Sequence, residues 1–183
     1  MNESNNKIGS KDDRVWRIIT FTQLLKQYFF IQFIRFDLHL FDLITKELEL
    51  DVYGFSGIVS NGDYSGTAFK LMDRMWQKVK SNGLGNKGKN IWIYEQDNRL
   101  FAGVELEGIP KPEIILEHKS LSFTKYAYYK HIGPYHLIKQ VGQSMKNEMK
   151  EKGYEVTLPY VEIYGHWTND ESKLETELLM CLK

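Results

Sequence analysis

The sequence predicts an α+β fold made from a strand–helix–strand–strand unit used twice, over about residues 47–107 and 119–183. Two observations carry this reading. Apolar residues recur at helical spacing at Ala68, Leu71, Met72, Met75, Trp76 and Val79, and again at Ile138, Val141, Met145 and Met149. Period-two runs flank both stripes in the same order, and Gly83 or Gly153 closes each helix. Identities between the units are few; the match lies in element order and helix length. A duplicated unit of this kind predicts antiparallel sheets about a pseudo-twofold axis. The two long helices would cover one face, and the uncovered faces would meet in a central groove.

Taken in order, residues 1–46 read as an N-terminal extension. Residues 1–13 are polar and lack the apolar core of a secretory signal. Val15, Ile18, Ile19, Leu24, Leu25, Phe29 and Phe33 give a rough helical stripe, and Phe36, Leu38 and Leu40 then alternate like a strand. A packing arm, a dimerisation segment and an amphipathic surface helix all fit this pattern. The repeated domain, residues 47–183, opens with Leu48, Leu50 and Val52 in alternation and runs on to Val59. Gly54 and Gly57 within that strand signal a bulge or a close backbone approach. Asn61-Gly62-Asp63 is a turn, and Asp63 or Ser65 can cap the first helix. A loop from Gly83 to Asn90 leads to a strand at Ile91–Tyr94, a turn at Gln96–Asn98 and a return strand at Leu100–Leu106. Residues 108–117 connect the units. Phe123 to Ile132 is one strand, Gly133-Pro134 opens the second helix, Tyr160–Tyr164 is a strand, and Lys173–Leu182 is the last.

Composition narrows the function classes. Apolar residues make up 42% of the chain, which supports a packed core and excludes disorder. Lys plus Arg equals Asp plus Glu at 24 each, which argues against a surface built to neutralise phosphates, so direct DNA binding is not expected. The apolar run Tyr28–Ile44 is broken by Gln32, Arg35, Asp37, His39 and Asp42, so no membrane span is expected. One cysteine, Cys181, precludes an intrachain disulfide and fits a reducing, cytoplasmic setting. The five histidines show no zinc-like spacing, and neither a metal nor a cofactor is expected. The Gly- and Lys-containing segment 83–89 follows a helix and precedes a strand, the reverse of a phosphate loop.

The chemistry gathers at Pro159–Trp167. Val161 and Ile163 share one strand face; Tyr160, Glu162 and Tyr164 share the other. An acid between aromatic rings suits an organic cation, because the rings offer π-faces and the acid offers a countercharge. A solvated Glu on an exposed strand, with tyrosines present for β propensity, fits the same pattern. The duplication pairs Ile91 and Ile93 with Val161 and Ile163 as helix-facing residues. Trp92 and Tyr94 would then stand on the cleft face opposite Glu162, although Trp92 also suits a core position. Trp76 sits within a helical stripe, a place that suits core.

Tyr126-Ala127-Tyr128-Tyr129-Lys130-His131-Ile132-Gly133-Pro134-Tyr135 resembles the strand followed by Gly-Pro-Tyr of the GyrI-like small-molecule-binding domain, the effector-binding domain of AraC-type and multidrug-responsive regulators. Gly153-Tyr154, Pro159 and Glu162-Ile163-Tyr164 resemble its later motif, and Met75-Trp76 its first-half helix. The resemblance covers about residues 47–183. It implies a cleft for lipophilic, often cationic molecules with Glu162 as the cleft acid, and Tyr164, Tyr160, Trp92, Tyr94, Tyr128 and Trp76 are the expected ligand contacts. The first expectation is a stand-alone binding domain for hydrophobic or cationic small molecules. The alternatives are a hydrolase using Glu162 as general acid/base, as in some members, and a protein-interaction role such as gyrase inhibition. A regulator or gyrase is then the expected macromolecular partner. Residues 1–46 depart from the family, showing no helix-turn-helix with a basic recognition face.

Overall fold

The structure, a computed structural model, describes residues 41–183. The stripes and alternation assigned above within residues 1–40 lie outside the described residues. Among the described residues, eight strands form one sheet: β1 (Asp42–Ile44), β2 (Leu48–Ile58), β3 (Asn86–Tyr94), β4 (Arg99–Leu106), β5 (Glu117–Phe123), β6 (Tyr126–Ile132), β7 (Val156–Tyr164) and β8 (Glu175–Leu182). The order across the sheet is β1-β6-β8-β7-β3-β4-β2-β5, and every pairing is antiparallel. Helix α1 (Tyr64–Ser81) joins β2 to β3, and helix α2 (Ile138–Glu151) joins β6 to β7.

Local chemistry explains the helices. The Asp63 carboxylate accepts the Gly66 N–H at 2.9 Å and satisfies an orphan donor of the first turn of α1. Asn82 caps the other end, and Gly83 follows at φ +58°, a conformation glycine adopts without strain. Ala68, Met72, Met75 and Val79 are the buried face of α1. In the second unit Pro134 precedes a short 3-10 turn, Tyr135–Leu137, and α2 proper begins at Ile138. Ile138, Met145 and Met149 are its buried face, and Gly153 ends it at φ +84°.

Connectivity forces the sheet to curl. β5 and β6 stand six places apart, yet only Thr124 and Lys125 separate Phe123 from Tyr126. Laid flat, that interval would be about 29 Å at about 4.8 Å per strand, whereas three Cα steps reach about 11 Å. β1 and β2 stand equally far apart in the order and are joined by residues 45–47. The rolled sheet encloses one cluster that includes Leu50, Val52, Ile91, Ile93, Phe101, Phe123, Val161 and Leu179. On the other face, Phe55, Trp92, Leu100, Ala102 and Val104 pack under α1, and Ala127, Leu178, Met180 and Leu182 pack under α2. Both helices therefore lie on one side of the sheet.

Several expectations are corrected. One continuous sheet replaces two. Ile91, Ile93, Val161 and Ile163 face the rolled interior, not the helices. The face without helices wraps around a buried apolar cluster, because the short links draw the edges together. The segment 123–132 is not one strand but the end of β5, a break at Thr124–Lys125, and β6. The sheet also starts upstream of residue 47: β1 pairs Asp42, Leu43 and Ile44 with Tyr128, Ala127 and Tyr126. Phe41 is 2% exposed and sits edge-on to Tyr129 at 5.1 Å.

Candidate functional site

The two central strands build the site. β3 and β7 pair with Trp92 opposite Glu162 and Tyr94 opposite Tyr160. The helix-side row of this pair is therefore Trp92 and Tyr94 on one strand, Tyr160, Glu162 and Tyr164 on its neighbour. These residues floor a cavity of about 820 Å³. The N-terminal end of α1 supplies one side of it, through Asp63, Tyr64 and Ser65, and α2 supplies another, through Lys139, Gly142 and Lys146. Five of the expected contact residues thus come together, as neighbours on one floor rather than as facing walls.

Glu162 is 5% exposed. Its Oε2 accepts the Tyr94 hydroxyl at 2.7 Å, a diagonal cross-strand contact, and the Tyr164 hydroxyl at 2.5 Å, a contact two residues along one strand face. Burial pushes the Glu162 carboxyl above the ordinary value near 4.5, and the hydroxyls of Tyr164 and Tyr94 oppose that rise by stabilising the charged form. Burial and the nearby carboxylate raise both phenols, so they stay protonated donors at any ordinary pH. The site pairs a poorly solvated carboxylate with permanent donors on one of its oxygens.

Rings complete the lining. Trp92 and Tyr164 lie 4.7 Å apart, Tyr94 and Tyr160 5.4 Å, Tyr64 and Tyr94 5.5 Å, and Tyr135 and Tyr164 5.3 Å. Among the described residues, the buried indole N–H of Trp92 finds no hydrogen-bond partner. Gly142 lets α2 approach this floor: a Cβ there would stand 3.1 Å from the Tyr160 hydroxyl.

Two expected contacts lie elsewhere. Tyr128 packs on the interior cluster, on the face away from the cavity, and its hydroxyl donates to Glu177 at 3.2 Å. Burial and Glu177 push its pKa up to about 12. Trp76 packs with the α1 core and donates its indole N–H to Asn90 at 2.9 Å. Sequence reasoning missed Tyr64, Tyr135 and the α2 residues as lining. Two signals were available: Gly142 interrupts an otherwise good helix, and Tyr135 stands in the Gly-Pro-Tyr motif.

Among the described residues, no group of three His, Cys, Asp or Glu side chains could hold a metal ion. No helix there is long and apolar enough to cross a membrane.

Residues 43–183 match the GyrI-like small molecule binding domain, and the chain belongs to that family. Its fold is similar to that of the EcmrR C-terminal domain, at 21% identity and a TM-score of 0.60 over 79% of this chain and 98% of that one. It is similar to EcmrR in a cryo-EM structure of its DNA complex, at 18% identity and a TM-score of 0.65 over 93% of this chain and 69% of that one. SAV2435 bound to tetraphenylphosphonium is similar at 18% identity and a TM-score of 0.53, over 78% of this chain and 93% of that one. No curated protein matches the chain.

Proposed function

We propose that this small-molecule-binding domain takes hydrophobic or cationic molecules in the cavity over β3 and β7. Glu162 supplies the countercharge, and Trp92, Tyr94, Tyr160 and Tyr164 supply ring surface. The observation that carries the reading is the buried Glu162 carboxylate, with Oε2 held by the phenols of Tyr94 and Tyr164 at the floor of an aromatic-lined cavity. Such a group costs stability in the empty protein and is offset when a cation meets it. The bound tetraphenylphosphonium of SAV2435 supports the choice of probe. The shared order of elements in residues 47–107 and 119–183 supports descent of the two units from one duplicated unit.

The test is calorimetric titration with tetraphenylphosphonium and with neutral triphenylphosphine oxide. Glu162→Gln should weaken the cation by on the order of 2–5 kcal/mol, the usual result of removing one partner of a desolvated pair. The neutral probe should change little. Equal weakening of both probes would make Glu162 structural, and no weakening of either would place the binding site elsewhere. A second reading, hydrolysis of a reactive small molecule, draws on the raised Glu162 pKa, which suits a general acid/base. It displaces the first if Glu162→Gln keeps binding and abolishes turnover.

A further inference from the structure

The cavity carries charge of both signs, arranged by depth. Among the described residues, four charged ones line it: Glu162, Asp63, Lys139 and Lys146. Glu162 lies at the buried floor, whereas Lys139 and Lys146 are exposed at the rim. On α2 the positions 139, 142, 143 and 146 follow helical spacing, so one helix face points Lys139, Gly142, Gln143 and Lys146 at the same space. The lysines are two turns apart, about 10 Å along the axis, with Gly142 between them. Neither lysine takes part in an ion pair among the described residues. The opposite rim carries Asp63, whose carboxylate is already committed to the Gly66 N–H.

A ligand with only positive charge gains at the floor and is repelled at the α2 rim. A ligand with a buried cationic centre and an acidic arm gains at both places, provided the arm leaves toward α2 and away from Asp63. We propose that the site is built for amphoteric molecules, a lipophilic cation joined by a short tether to a carboxylate or similar acid, with Lys139 and Lys146 receiving the acid. This proposal rests on the reading of Glu162 as countercharge and adds the class of ligand. Lys139 and Lys146 are specificity residues in it.

The experiment is calorimetric titration of the full chain at neutral pH with two probes of one shape. Carboxybutyl-triphenylphosphonium is a zwitterion, and pentyl-triphenylphosphonium is the cation without the acid. Two partly exposed charge contacts predict that the zwitterion binds about three- to tenfold tighter. The Lys139→Gln, Lys146→Gln double variant should lose that preference and bind the pentyl cation as tightly or more tightly, since the like charges are gone. Raising salt from about 0.05 to 0.5 M should shrink the preference in the unmodified chain, a readout that needs no variant. A tighter pentyl cation, or a preference that survives both the double variant and salt, overturns the proposal. Failure of both probes to bind the unmodified chain overturns the countercharge reading itself, and with it this extension.

Discussion

Glu162 keeps a carboxylate where water solvates it poorly, and its proton equilibrium follows. The folded chain holds that proton more tightly than the unfolded chain, whose carboxyl titrates near 4.5. The native state therefore binds more protons through this window, and the contribution to stability falls as pH rises from about 4.5 through the raised value. Above that value the cost is complete. Glu162→Gln should accordingly raise the melting temperature of the ligand-free protein at neutral pH, and the gain should vanish below the ordinary carboxyl value. Melting curves across pH check this, and a lower melting temperature for the variant at neutral pH would contradict it. Cation affinity should move the other way with pH, strengthening as Glu162 ionises, while a neutral probe stays flat. Tyr94→Phe and Tyr164→Phe each remove a bond to the charged form, a contact typically worth about 1.5–3 kcal/mol. Each should move the Glu162 titration further up, as read by carboxyl NMR.

The central strands of the first half are held closely enough that two glycines become obligatory. Gly54 of β2 and Gly103 of β4 are direct partners. A Cβ on Gly54 would stand 2.1 Å from the Ala102 carbonyl oxygen, and one on Gly103 would stand 2.4 Å from that of Tyr53. These neighbours are backbone and cannot swing aside. Gly54→Ala or Gly103→Ala should destabilise the domain by on the order of 1–3 kcal/mol or more, as overpacking does, and urea unfolding measures it. Gly142 of α2 faces the cavity instead, with the Tyr160 hydroxyl in front of it. Gly142→Leu should fill ligand space and abolish probe binding while the chain stays folded, which circular dichroism and titration separate.

The rolled sheet makes its own edges part of the core. β1 covers β6, and Phe41 lies among Ala127, Met145, Met149 and Leu178 under α2. A chain begun at residue 47, the expected domain start, loses both. Losing a buried Phe side chain typically costs about 3–5 kcal/mol, so that truncation should be markedly less stable in urea than one begun at residue 41. Equal stability of the two would show that β1 and Phe41 add nothing to the fold.

Sequence alone determined what is local. Helical stripes, Asp63 as a cap, and Gly83 and Gly153 as terminators were legible because each rests on neighbours within a turn or two. The alternation around Glu162 also showed which residues share a strand face, and so grouped Glu162 with Tyr160 and Tyr164. It could not show which layer that face meets. Both faces of β3 and β7 carry large nonpolar or aromatic groups, because the rolled interior buries Ile91, Ile93, Val161 and Ile163 while the helices bury the Trp92–Glu162 row. A period of two has no sign, so helix side and interior side were exchanged. Tyr128 was misplaced for the same reason, since an aromatic at a half-buried strand position fits either layer. The missing information is long-range: which strands become neighbours, and how short links at residues 45–47 and 124–125 close the sheet. Only the tertiary structure decided that Glu162 lies on the cavity floor and within reach of both Tyr94 and Tyr164.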